Sequence, residues 1–114
     1  MKTSELQGAA LDWAVAKCEG VALDPNLLKD GHAVKFRFEP STDWAQGGPI
    51  IEREWINVEK RINEMDWTAS VVYEDYSDGF EWTEAKGDTP LIAAMRCYVA
   101  LKLGDEIDIP EELK

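Results

Sequence analysis

A chain of 114 residues has the length of one domain. Its 45% hydrophobic residues, five tryptophans and only five prolines equip it to bury a core, which excludes a disordered chain. The formal net charge of −11 repels phosphate backbones and anionic bilayers, which excludes charge-driven binding to nucleic acid or to a membrane surface.

The start MKTSELQ is polar and reads as no signal peptide. No stretch approaches the ~18 apolar residues of a membrane span, so the expected setting is the cytoplasm of a cell. The first predicted helix covers residues 4–19. Ser4 and Gln7 have the spacing of a capping box, and Gly20 supplies the stop. Leu6, Ala9, Ala10 and Trp13 form one apolar stripe that Leu11, Val15 and Cys18 widen. Cys18 and Cys97 both fall inside predicted helices, where reduced, buried thiols are expected.

Turn formers follow at Asp24-Pro25-Asn26 and Asp30-Gly31. Val34, Phe36 and Phe38 then alternate with charged residues and predict a half-buried strand. Ser41-Thr42-Asp43 starts a turn or short helix that Gly47-Gly48 is expected to break, and Pro49 opens a short helix over 49–54. Ile56 and Val58 begin another strand. The clearest β signal is a hairpin: Trp67, Ala69, Val71 and Tyr73 on one strand, Phe80 and Trp82 on the next, joined by Tyr76-Ser77-Asp78-Gly79. A two- or four-residue loop pairs odd positions with even ones and puts all these aromatics on one face, as core.

The last helix is predicted over 90–103, with Thr89 as N-cap, Pro90 in the first position, Lys102 in the last turn and Gly104 beyond it. Ile107-Asp108-Ile109-Pro110 follows as an edge strand or extended arm. The fold class is therefore α+β in a single domain spanning 1–114. It comprises a small, mainly antiparallel sheet of three to five strands with two principal helices on it.

Familiar catalytic constellations are missing from the sequence. His32 is the one histidine and lies in a predicted loop, the cysteines have no CxxC spacing, and no HExxH occurs, so no catalytic residue, metal site or cofactor is assigned. With 23 carboxylates, adjacent acids such as Glu74-Asp75 arise by chance.

Two places read as binding surfaces. In Ser41–Pro49, with Thr42 among its ligand-facing residues, the paired Gly47 and Gly48 allow main-chain N–H groups to approach a ligand before the helix start at Pro49. Trp44 can stack on a base or sugar, and Arg53 can pair with a phosphate. At the second, the Thr89 helix start offers free N–H groups, and Arg96 reaches out from mid-helix. For each, a plain structural reading stands alongside: Trp44 as a plug over the core, Thr89 as a cap, and Arg96 in a salt bridge.

At these same segments the sequence resembles the NinX family, small proteins of lambdoid phages and related prophages. The resemblance is carried by MKTSELQGAALDWAVAKCEG, STDWAQGGPIIERE and TPLIAAMRCYVALKLGDEIDIPEEL, in order along nearly the whole chain. It implies Gly after IIERE, where this chain has Trp55. It also implies a phage accessory protein in the host cytosol. In that context the expected function is non-catalytic sequestration of a host nucleotide-derived immune signal, an anti-defence sponge binding a small anionic, nucleotide-like ligand. An acidic inhibitor that binds a basic host protein is the alternative, and a domain this small gains from forming a homo-oligomer.

Overall fold

The computed structural model describes residues 1–22, 38–75 and 79–114, with side chains described outside 73–75 and 79–81. The expected Asp24-Pro25-Asn26 and Asp30-Gly31 turns, His32, and Val34 and Phe36 of the expected strand lie outside the described residues, as do Tyr76, Ser77 and Asp78. Phe38 is described, and packs partly buried against the core.

The described residues form an α+β fold. Helix α1 (Gly8–Glu19) is followed by α2 (Trp44–Arg53), strands β1 (Asn57–Glu59), β2 (Trp67–Asp75) and β3 (Gly79–Gly87), and helix α3 (Pro90–Leu103). The strands make an antiparallel sheet in the order β1-β2-β3, and α3 packs against it.

α3 forms as its sequence predicts. The Thr89 hydroxyl accepts from Ile92 N–H at 3.1 Å, Pro90 occupies the first turn, and Gly104 closes the helix. Leu91, Ala93, Ala94, Met95, Cys97, Tyr98 and Val99 are all buried, so this helix is wrapped on most sides. The tail runs as an extended arm beside the N-terminus. Ile107 exchanges hydrogen bonds with Met1, each 3.0 Å, and Ile107 and Ile109 are buried.

α1 departs from the expected start. A 3-10 turn (Thr3–Glu5) comes first, the chain is extended at Leu6 and Gln7, and the helix opens only at Gly8. The Ser4–Gln7 capping box does not form, because Thr3 is drawn inward. Its hydroxyl donates to Gly104 O at 2.7 Å and its amide to Asp105 O at 2.8 Å, which ties this segment to the end of α3. The stop at Gly20 is as expected, with φ 73°.

α2 corrects a second expectation. The helix begins at Trp44, five residues before Pro49, and runs through Gly47-Gly48. Asp43 nucleates it: its carboxylate accepts from Ala45 N–H at 3.0 Å and from the Gln46 side chain at 3.0 Å. Gly47 does not break the helix but lets it pack. A β-carbon there would lie 2.5 Å from Pro40 O and 2.6 Å from Leu91 Cδ2.

The hairpin forms, with a register that overturns the expected sharing of faces. Asp75 pairs with Gly79, so three residues connect the strands and even positions oppose even ones. Trp82 therefore faces Val72, not the side that carries Ala69 and Val71. Ala69 and Val71 are buried in the core, whereas Val72 and Trp82 are exposed on the outer face. Lower on that face Thr68 is buried, and residues from the β1–β2 connection join the strands through ion pairs: Arg61 with Glu59 and Glu84, and Lys86 with Glu64.

Candidate functional site

Thr42, Trp44, Gly47, Gly48 and Pro49 lie together at the start of α2. The amides there are engaged within the chain. Thr42 N–H donates to Glu39 O at 3.1 Å, Ala45 N–H to the Asp43 carboxylate, and Gln46 and Gly47 N–H to Asp43 O at 3.0 and 2.9 Å. The positive end of the helix is thus already met by a carboxylate, and an incoming anion would face Asp43. Trp44 does not seal the core: it is 56% exposed, its ring lying against Gly48.

Arg53, at the other end of α2, is committed to an internal network. Its Nη1 and Nη2 donate to both oxygens of Glu19 at 3.0 and 2.8 Å, its Nε donates to Glu54 at 2.8 Å, and Nη2 also reaches the Tyr98 hydroxyl at 3.1 Å. Tyr98 donates to Glu19 at 2.7 Å, and Lys102 pairs with Glu54 at 3.4 Å. Burial alone would raise the Glu19 carboxyl, but the hydrogen bonds from Arg53 and Tyr98 outweigh it and hold the group below the usual range. Burial and then the Glu19 bond push the Tyr98 phenol up, and bonds to Glu19 and Glu54 raise Arg53 further. The fork–fork geometry makes this network a clasp between α1, α2 and α3.

Thr89 spends its hydroxyl and carbonyl on Ile92 and Ala93 N–H. Among the described residues Arg96 forms no salt bridge. Its Nε donates to Leu6 O at 2.7 Å and its Nη1 to Lys86 O at 2.9 Å, joining the N-terminal segment to the end of β3. It borders a hollow of about 200 Å³ together with Lys2, Glu84, Asp105 and Glu106. Arg96 and Tyr98 are two residues apart on one helix, about 200° around it. The two arginines therefore do not converge. The eight expected residues occupy three separate places: the α2 start with the neighbouring Thr89 turn, which Gly47 reaches through Leu91, the Arg53 clasp, and Arg96.

Burial also pushes the thiols of Cys18 and Cys97 up to about 11, and both are free. A buried thiol held in its protonated form is a poor nucleophile.

The surface feature that sequence reasoning did not anticipate is a hollow of about 450 Å³ between the end of α2 and the outer sheet face. It is lined by Ile51, Glu52, Trp55, Ile56, Asn57 and Val72. Trp55 is 84% exposed and Val72 is 54% exposed, and Trp82, 64% exposed, is Val72's cross-strand partner. Trp55 also has φ 59°, the left-handed conformation that favours glycine. The position where the resemblance implies Gly is thus one where the backbone takes a glycine-like turn. The signals in the sequence were this departure at Trp55 and the hairpin loop length, which decides the face of Trp82.

Fold and surface together define a small α+β protein whose described surface carries a hollow beside Trp55 and several charge clasps within the chain. The chain matches the family described as Bacteriophage P22, NinX, over residues 2–102, and belongs to that family. It is accordingly a phage accessory protein. No curated protein matches the chain. Among the described residues, no helix is long and apolar enough to cross a membrane.

Proposed function

We propose that the chain is a non-catalytic binder that acts in the host cytosol by engaging a basic host protein. The observation that carries this reading is the cluster of exposed apolar side chains, Trp55, Val72 and Trp82, on a protein of net charge −11. An exposed aromatic cluster loses favourable burial energy unless a partner covers it, and aromatic residues dominate the energetics of protein interfaces. The acidic field supplies attraction and orientation for a basic partner. The test is a pull-down from host lysate with the purified chain as bait, washed at stepped salt. Recovery of a basic protein whose retention falls with ionic strength supports the reading, and a bait that emerges bare sinks it.

Sequestration of a nucleotide-derived immune signal is the second reading. Exposed Trp44 favours it, as a platform on which a base can stack. Against it stand the engaged amides at Asp43 and Thr89 and the clasped Arg53. Calorimetric titration with cyclic dinucleotides and cyclic ADP-ribose derivatives distinguishes the two: micromolar binding of any of these would restore the sponge, and flat isotherms leave the protein-binding reading in place.

A further inference from the structure

We infer that the hollow beside Trp55 is the docking point for an arginine or lysine side chain of the partner, held over the indoles with its charge at Glu52. This rests on the protein-binding reading and adds the surface and the chemistry recognised there.

Three features of the hollow select the occupant. Its lining includes the Trp55 indole with Ile51, Ile56 and Val72, and Trp82 lies outside it as the cross-strand partner of Val72. An indole face attracts a cation through its quadrupole. Glu52 stands among the lining residues, exposed, and its carboxylate has no partner among the described residues. Arg53, next to it in sequence, is held by Glu19 and Glu54, and Arg61 by Glu59 and Glu84. An apolar stem with a terminal charge fits such a site, because the stem covers indole while the charge meets carboxylate.

Charge decides against the other occupants. A second copy would bring another −11 to the same face, and a nucleic acid or nucleotide would bring phosphates toward Glu52. A neutral apolar peptide would leave Glu52 unused and partly desolvated. Trp55 adds an independent argument. It holds a backbone conformation where glycine would rest more easily, yet most of its indole faces solvent, so its side chain contributes little to the fold of the free protein.

The experiment titrates the full-length, nitrogen-15-labelled chain with a peptide of alternating arginine and leucine and with the same peptide carrying glutamine for arginine. The indole N–H resonances of all five tryptophans are followed. The expected result is saturable movement of the Trp55 and Trp82 signals while Trp13 and Trp67 stay in place, with the glutamine peptide at least tenfold weaker. Glu52→Gln should weaken the arginine peptide about five- to tenfold, and Trp55→Gly with Trp82→Thr should abolish binding in a chain whose remaining amide spectrum is unchanged. Equal movement of all five indoles, or a Glu52→Gln variant that binds as tightly as the parent, overturns the inference. The lysate pull-down separates the two levels. If the wild-type chain retains a basic partner and the doubly substituted chain retains it equally, the hollow is not the docking point while the proposed function stands. If the wild-type bait recovers nothing, both fall.

Discussion

Trp55 offers the sharpest test of how the backbone is built. Its φ of 59° places an L-residue in the left-handed region, which costs roughly 1–2 kcal/mol relative to the right-handed conformation. With 84% of the residue exposed, only a small part of the indole is left to offset that cost. About 40 Å² of a side chain of roughly 250 Å² is covered, worth about 1 kcal/mol at ~25 cal/mol per Å². Trp55→Ala removes that contact and keeps the strain. Trp55→Gly removes both, against an entropic penalty for glycine of roughly 0.5–1 kcal/mol. The glycine variant should therefore exceed the alanine variant by about 0.5–1 kcal/mol and lie close to wild type. At most positions the order is reversed, alanine being the more stable. Urea unfolding followed by circular dichroism measures both, with the slope against urea expected to be common to all three chains. An alanine variant as stable as the glycine variant, or more so, would refute the assignment of left-handed strain to this residue.

The adjacent glycines of α2 should respond in opposite directions. Gly47→Ala drives a β-carbon into Pro40 O and Leu91 and should cost about 1–3 kcal/mol, whereas Gly48→Ala meets only Trp44 Cε3 at 3.9 Å and should gain up to about 1 kcal/mol of helix propensity, both read as shifts in urea midpoint. Asp12, buried in α1 and accepting from Ser41 N–H at 2.9 Å, is pushed up to about 6 by burial, with Ser41 pulling the other way. Between pH ~4 and ~6 the folded chain keeps a proton that the unfolded chain has lost, so this group's contribution to stability falls as pH rises through that window and stays low above it. Asp12→Asn should therefore stabilise by up to about 3 kcal/mol at pH 8 and by little at pH 4, and a gain independent of pH would contradict the buried charge. Tyr98→Phe removes the 2.7 Å bond to Glu19 and should cost about 1–2 kcal/mol by thermal unfolding at neutral pH. The Glu19 carboxyl is held low, so its contribution is present above its ordinary range and is lost as acid protonates it, narrowing the gap between Tyr98→Phe and the parent chain at low pH.

What could be read from sequence was what neighbours in sequence decide. The Thr89 cap, Pro90 and Gly104 bracket α3 by local hydrogen bonding and fixed φ, and the structure places its ends there. The hairpin was legible as two strands, but its facing depended on a single residue of loop length, and one residue moves every side chain to the other side. Gly47-Gly48 read as a break, with Pro49 opening a new helix, because glycine weakens isolated helices and proline suits a first turn. Long-range contact with Pro40 and Leu91 reversed the outcome. Asp12 was invisible among alanines, since the amide that satisfies it belongs to Ser41, 29 residues away. The partners of the two arginines were hidden for a related reason: Arg53 finds Glu19 34 residues away and Arg96 finds Leu6 90 residues away, pairings no periodicity announces.

The exposed tryptophans and the acidic surface make physical sense as one arrangement. An aromatic cluster left uncovered invites self-association, and a chain of 114 residues has little stability to spare for it. Eleven surplus negative charges oppose the approach of like copies over roughly a Debye length of ~8 Å at physiological salt, and within that distance they attract a basic surface. The clasps within the chain engage its cations elsewhere: Arg53 is held by Glu19 and Tyr98, and Arg61 and Lys86 are spent on Glu59, Glu84 and Glu64. Glu52 is thereby left as the uncompensated acid beside Trp55. In the proposed docking, the same charge that opposes the approach of like copies sets the sign of what the hollow accepts.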